Sequence, residues 1–219
     1  AEAAGGEPLA QFLTEVHCRR VPLLDPAVDM AAWGECYRPG TLVNSTDHMA
    51  FCLDVSLDEL HVTLAAAARD GEKVRVERVS VWEGQTAVQQ MIRELPTLVE
   101  AHKPKVLGWF PAGPAAAAAA ALAERDGWPP DGVEFQPIRG DVTAVCMGFA
   151  EQVRARALMH DGDAVLDAHV QAAEKLHQGD GWRFGRRKVG YVDAAYAAAG
   201  AVHLARVIPA PVEAEAWFA

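Results

Sequence analysis

Apolar positions along the chain fall into blocks whose period shifts from strand-like to helix-like. Residues 50–56, 60–67 and 74–82 are three runs rich in apolar and β-branched side chains in close succession. An Arg69-Asp70-Gly71 turn joins the second to the third, and Val74, Val76, Val79 and Val81 partly alternate, so three antiparallel strands are expected. Val88, Met91, Ile92, Leu95 and Val99 then recur at helical spacing, which predicts a helix over 86–102 with Pro96 as a kink. Residues 105–110 read as a fourth strand, the alanine-rich stretch after PAGP as a helix, and 133–138 as a fifth strand. Asp141 is placed to cap a helix carrying Val142, Val145, Cys146, Phe149 and Val153. A further helix is expected over 164–177, a Gly- and Arg-rich link at GDGWRFGRRKVG, and a last helix over 191–207.

Three antiparallel strands, then alternating helix and strand, then closing helices, give an α/β fold of the ribonuclease H type, with a central mixed five-stranded sheet flanked by helices. Residues 1–48 have no sustained period and read as an irregular lead-in, packed on the domain by Trp33 and Tyr37. The domain itself is expected over 49–210 and a short tail over 211–219.

With 219 residues and 51% hydrophobic content, the chain can bury one substantial core. No apolar run reaches the roughly 18 to 20 residues that cross a bilayer, and AEAAGGEP is neither basic nor apolar, so the expectation is a soluble, intracellular protein with no membrane partner. Cys18, Cys36, Cys52 and Cys146 form no C-x-x-C pair and are expected to be small buried residues. The net charge of −10 argues against indiscriminate nucleic-acid binding, so any DNA contact has to come from a local basic patch.

The candidate chemistry begins at MAFCLDVSLDEL, where Asp54 interrupts an apolar strand. An ionised carboxylate in an apolar layer must be paired, protonated or bound to a cation, so Asp54 either meets an arginine or belongs to a site. In this strand order the first strand lies beneath the final helix, which makes Asp193 its partner; alone, Asp193 is also what a helix dipole favours in a first turn. Carboxylates converging there would hold two divalent ions about 3.5 to 4 Å apart for phosphodiester hydrolysis. Asp58 joins the same face if the strand stays regular that far, and Asp141 is either an N-cap or a further ligand. His160 and His169 are nine apart with no metal-binding motif, and His169, among Leu166, Val170 and Ala173, reads as a core histidine. No P-loop of the G-x-x-x-x-G-K-[ST] type is present. Arg183, Arg186, Arg187 and Lys188, interleaved with Trp182 and Phe184, form a basic cluster just before Asp193 that suits a phosphate backbone or, more plainly, a solvated turn.

Four stretches, FLTEVHCRRVPLLDPAVDMAAW, AFCLDVS, VLGWFPAGPAAAA and the segment from GDVTAVCMGF through LMHDGDAVLDAHV to VDAAYAAAGAV, together resemble the C-terminal nuclease domain of the large terminase subunit of tailed bacteriophages. The resemblance covers about 200 residues in the family's order. It implies a ribonuclease H-like nuclease binding two Mg²⁺ or Mn²⁺ ions, with Asp54 at the first-strand aspartate and Asp193 at the final-helix aspartate. It also implies double-stranded DNA as substrate, the terminase small subunit and portal protein as partners, a monomeric isolated domain that joins a ring in the motor, and the bacterial host cytoplasm as location. FLTEV would be the end of a linker from an upstream ATPase. The family's acid at the end of the fourth strand corresponds here to Phe110, so Asp58 or Asp141 would have to substitute, or cleavage is slow or lost. The leading expectation is a metal-dependent endonuclease cutting concatemeric DNA; the others are a non-catalytic DNA-binding and docking module of the same motor, and an unrelated ribonuclease H-like nuclease or resolvase. Clustered like charges further imply that Asp54→Asn leaves the metal-free protein as stable or more so.

Overall fold

The computed structural model describes residues 25–42, 48–186 and 190–209. Its elements in chain order are α1 (Met30–Glu35), β1 (Ala50–Val55), β2 (His61–Asp70), β3 (Lys73–Glu83), α2 (Ala87–His102), β4 (Val106–Trp109), α3 (Pro114–Ala123), β5 (Glu134–Pro137), α4 (Val142–Arg154), β6 (Leu158–His160), α5 (Ala164–Ala172), β7 (Lys175–Gln178), β8 (Gly181–Phe184) and α6 (Asp193–Val207). Six strands form one sheet in the order β5-β4-β1-β2-β3-β6, and β7-β8 form a separate hairpin. β1, β2 and β3 are antiparallel neighbours, while β4 joins β1 and β6 joins β3 in parallel.

The sheet is covered on both faces, which is why β1 and β2 read as continuous apolar runs instead of clean alternation. Phe51, Leu53, Val55, Val62 and Leu64 point toward Met91, Leu95 and Val99 of α2 and Ala115, Ala118 and Leu122 of α3. Ala50, Cys52, Ala65, Ala67, Val74 and Val76 point toward α6. By the two-residue period of a strand, Asp54 follows Ala50 and Cys52 onto the α6 face.

Helix α6 is buried on all sides over residues 193–202, lying on β1, β2 and β3 beneath α4 and α5. Small side chains make this approach possible. A Cβ added at Gly200 would fall 2.3 Å from Cys52 Sγ and 2.8 Å from Ile138 Cδ1, and one added at Gly108 of β4 would fall 2.6 Å from Leu204 Cδ1. Ala194, Ala195, Ala197, Ala198 and Ala201 are likewise fully enclosed.

The expected strand order holds through β5, and β1 and β4 are adjacent and parallel as the spacing implied. Two features were not legible. The three-residue strand β6 extends the sheet to six strands rather than five. The helix expected over 164–177 stops at Ala172, and residues 175–178 pair with 181–184 across a turn whose Gly179 has φ 58°, the sign that a type II′ turn requires at its first central position.

In the lead-in, Asp29 caps α1 by accepting from Ala31 N and Ala32 N. Trp33 is the anchor: its ring stacks on His160 at 3.9 Å and its indole N–H donates to Asp167 Oδ1 at 2.8 Å. Tyr37 stays 47% exposed, its backbone bridging to His160. Cys36, Cys52 and Cys146 are free and buried, burial pushing the Cys146 thiol up to about 12. Cys18, FLTEV and the expected tail lie outside the described residues. Among the described residues, no helix is long and apolar enough to cross a membrane.

Overpacking at the α6–sheet seam sets one expected outcome. Gly200→Val should lower stability by about 2–3 kcal/mol, because Cys52 and Ile138 have nowhere to move. Gly148→Ala, in α4 with nothing within 4 Å of the added methyl, should raise it by about 0.5–1 kcal/mol. Denaturant midpoints that move the same way in both variants would contradict this packing.

Candidate functional site

Asp54 is the fifth residue of β1 and is fully buried. Its charge meets an arginine. Arg186 Nη1 donates to Asp54 Oδ2 at 2.6 Å, Nη2 donates to Oδ1 at 2.7 Å, and Nη1 also reaches the Val55 carbonyl at 3.2 Å. The guanidinium lies over the Tyr196 ring at 3.7 Å, so its apolar face is covered as well. Burial pushes the Asp54 carboxyl up to about 6, against the pull of Arg186 and with a further push from the charge on Asp193. The bidentate geometry keeps the carboxylate ionised at neutral pH.

Asp193 is the first residue of α6 and is also fully buried. Its Oδ2 accepts from Thr63 Oγ1 at 2.6 Å and lies 2.5 Å from His61 Nδ1, while His61 Nε2 lies 3.1 Å from Glu83 Oε1. Thr63 is the cross-strand partner of Asp54, so one residue pair links the two acids. Burial lowers the His61 pKa, but the hydrogen bond and charge of Asp193, with Glu83, outweigh it and hold the ring above its ordinary value. From α5, His169 Nδ1 accepts from Ala194 N at 3.0 Å and so caps α6, whose N-cap residue Val192 has no side chain able to do so. Burial lowers the His169 pKa. Asp193 Oδ1 has no hydrogen-bond partner and lies 3.6 Å from His169 Nδ1. Tyr191 stacks over His61 at 4.6 Å, and an open cleft lined by Ser56, Leu57, Asp58, Arg186, Tyr191 and Asp193 leads to this point.

The other expected site residues take other roles. β1 ends at Val55, so Asp58 is not carried onto the Asp54 face; it sits exposed in the following turn, accepting from Ser56 Oγ at 2.6 Å and Leu60 N at 3.1 Å. Asp141 caps α4 by accepting from Thr143 N at 2.8 Å. Phe110 directly follows Trp109, the β4 partner of Leu53, and its ring packs edge-on against Tyr196 at 5.3 Å. Arg186, expected as a DNA contact, turns inward with only 13% of its side chain exposed, because Asp54 requires a cation there. Arg183 donates to the Tyr196 hydroxyl at 3.3 Å, and Arg187 and Lys188 lie outside the described residues.

The donors expected for two ions therefore do not fit as they stand: both Asp54 oxygens are engaged and Phe110 is apolar. The structure instead gathers His61, His169 and Asp193, each buried, with ligand atoms within 4.8 Å of one another. Sequence reasoning read His169 as a core residue and passed over His61. The one available signal was a histidine two positions before Thr63 on a strand facing Asp54.

Two outcomes follow. Asp54→Asn should cost about 3 kcal/mol in the metal-free protein, not stabilise it, because the buried Arg186 loses its counter-charge; a denaturation midpoint equal to or above wild type would contradict the pairing. Asp163 caps α5, the helix that carries His169, and accepts two bonds from Arg78 at 2.8 and 2.6 Å. Burial raises its pKa, but the Arg78 bond and the cap bonds outweigh burial and hold it below the usual value. A lowered carboxylate pKa contributes stability above the ordinary carboxylate range that is lost as pH falls through the folded pKa. Asp163→Ala should thus cost about 1–2 kcal/mol at neutral pH, with the gap to wild type closing below about pH 4. A gap independent of pH would show that the charge does not matter.

No protein-family model matches the sequence, and no curated protein matches it. Among solved structures, the chain is similar to the large terminase of bacteriophage HK97, with a TM-score of 0.60 and 13% identity over 84% of this chain and 45% of that one. It thus spans about half the length of that terminase. It is similar to the large terminase nuclease of thermophilic phage G20c with bound magnesium, with a TM-score of 0.56 and 12% identity over 83% of this chain and 98% of that one. It is also similar to a mutant fragment of the large terminase subunit of bacteriophage Sf6 with calcium, with a TM-score of 0.54 and 10% identity over 85% and 100% of the two chains. Identities this low speak to architecture, and on that ground the chain has the ribonuclease H-like fold found in the large terminase nucleases of phages.

Proposed function

We propose that this chain is the nuclease domain of a phage DNA-packaging motor, a divalent-metal-dependent endonuclease that cuts concatemeric double-stranded DNA, with Asp54 and Asp193 as its central acids. One observation carries the reading: two fully buried carboxylates, on the first strand and at the start of the last helix, are joined through Thr63 on one side of the sheet, and Asp193 lines an open cleft. A buried acid whose pKa is shifted, as that of Asp54 is, beside a second buried acid that lines a cleft is the arrangement expected of a functional site. The likeness to a terminase nuclease solved with magnesium supports the same reading. A bound divalent ion would supply neutralisation of phosphate charge and an activated water. The chain's own residues would hold that ion at Asp193, fix the Asp193 carboxylate through Thr63 and His61, and keep Arg186 beside Asp54. Partners in this reading are double-stranded DNA, a small terminase subunit and a portal protein, with assembly into a ring in the host cytoplasm.

A second reading, a domain that grips or docks DNA without cutting it, is favoured by the Arg186–Asp54 pair and by Phe110 in place of an acid. Incubation of supercoiled plasmid with the protein and Mn²⁺ decides between them. Nicked and linear products from wild type, reduced on the order of 100-fold or more in Asp193→Asn, are expected. Plasmid that is retarded on a gel but never cut would move the reading to the docking module.

A further inference from the structure

We infer that the cleft beside Asp193 seats an unpaired nucleobase of the strand to be cut, with Tyr191 as its stacking platform and Leu57 as an apolar wall. The inference rests on the nuclease reading above and names the state of its substrate, a nucleotide drawn out of the duplex.

The first ground is where the apolar surface lies. Tyr191 is 37% exposed and Leu57 44% exposed, and both line the cleft of about 670 Å³ that Asp193 also lines. Single exposed apolar residues are ordinary, but two lining one cleft form a patch that a flat apolar group can cover. The cleft has the size of sites that enclose a small organic group.

The second ground is that both side chains are held in place without a ligand. Tyr191 stacks on His61 with centroids 4.6 Å and planes 22° apart, and its hydroxyl reaches Asp58. His61 is itself fixed between Asp193 and Glu83. With one face of the Tyr191 ring on His61, the other is left for a ligand. The turn that carries Leu57 is closed by Ser56 N–H donating to the His61 carbonyl at 2.8 Å and by Glu59 N–H donating to the Ser56 carbonyl at 3.0 Å. Asp58 ties the same turn by accepting from Ser56 Oγ and Leu60 N. A platform ordered in advance loses little freedom when a base arrives.

The third ground is charge, which selects a base over a phosphate. Asp58 and Asp193 line the cleft, and Arg186, which also lines it, spends its guanidinium on Asp54. A phosphate at the Tyr191 face would meet the Asp58 carboxylate, whereas a base is neutral and its amino edge carries donors that a carboxylate accepts. Stacking on an aromatic ring accepts any base. Drawing a base out of a matched pair costs a few kcal/mol, and least where the base is already unpaired. The seat therefore favours DNA that is locally open.

The test compares a matched duplex with one carrying a short internal bubble, in which 2-aminopurine occupies each unpaired position in turn. Binding is read by anisotropy, in EDTA and again with Ca²⁺, and stacking by quenching of the 2-aminopurine emission. The bubble should bind roughly tenfold or more tighter than the matched duplex, with the base quenched at one position. Tyr191→Ala should lose the quenching and roughly tenfold of the bubble affinity, and Tyr191→Trp should keep both. Equal affinity for the two duplexes, quenching that survives in Tyr191→Ala, a loss that Tyr191→Trp shares, or no binding in either condition would each overturn the inference. Plasmid cut by wild type with no preference for the bubble would remove this inference and leave the nuclease; a base quenched through Tyr191 in DNA that Mn²⁺ never causes to be cut would do the reverse.

Discussion

A carboxylate on the central strand of a sheet covered on both faces has to be matched by a cation, and much of this molecule is arranged around that requirement. Asp54 has no water to solvate it, since helix α6 closes over its face of the sheet. The chain answers with Arg186, delivered from just beyond the β7–β8 hairpin and pressed onto Tyr196. The second acid, Asp193, is answered differently, by Thr63 and a histidine whose pKa is raised, with one oxygen left over. Without metal, Asp54 thus has an internal positive partner in Arg186, and Asp193 has a histidine whose protonated form it favours.

Those pairings depend on how closely α6 lies on the sheet. The helix reaches the strands because Gly200 and a row of alanines leave no side chain to hold it off, and the same approach brings Asp193 down to Thr63 and His61. His169 then satisfies a backbone donor at the start of α6, which sets its ring 3.6 Å from Asp193. Packing and site geometry are one problem here.

Most of the fold was legible from period and order, since β1 to β5, α2 and the capped α4 follow directly from apolar spacing and from Asp141. The strand β6 was not, because three residues carry no period, and the β7–β8 hairpin was hidden behind a sequence that also suits a helix and a basic link. Asp54 stood out because an acid interrupts an otherwise apolar strand, and Asp193 because it opens the helix that the strand order lays over that strand. Their partners could not: a histidine at the start of a strand and an arginine within a run of basic residues look like surface until the fold brings them together across more than a hundred residues. The resemblance supplied an acid-rich site, and the particular departure here, Phe110, signalled that the charge balance had to be met in another way.

The claim that Asp54 and Arg186 form one buried unit is tested most directly by a double-mutant cycle with Asp54→Asn, Arg186→Gln and the pair together, read as metal-free unfolding free energies. The geometry predicts a coupling of about 2–4 kcal/mol, with the double variant more stable than the sum of the single losses implies. Losses that add to within about 0.5 kcal/mol would mean the two residues do not sense each other, and the account of a site neutralised from within would be wrong.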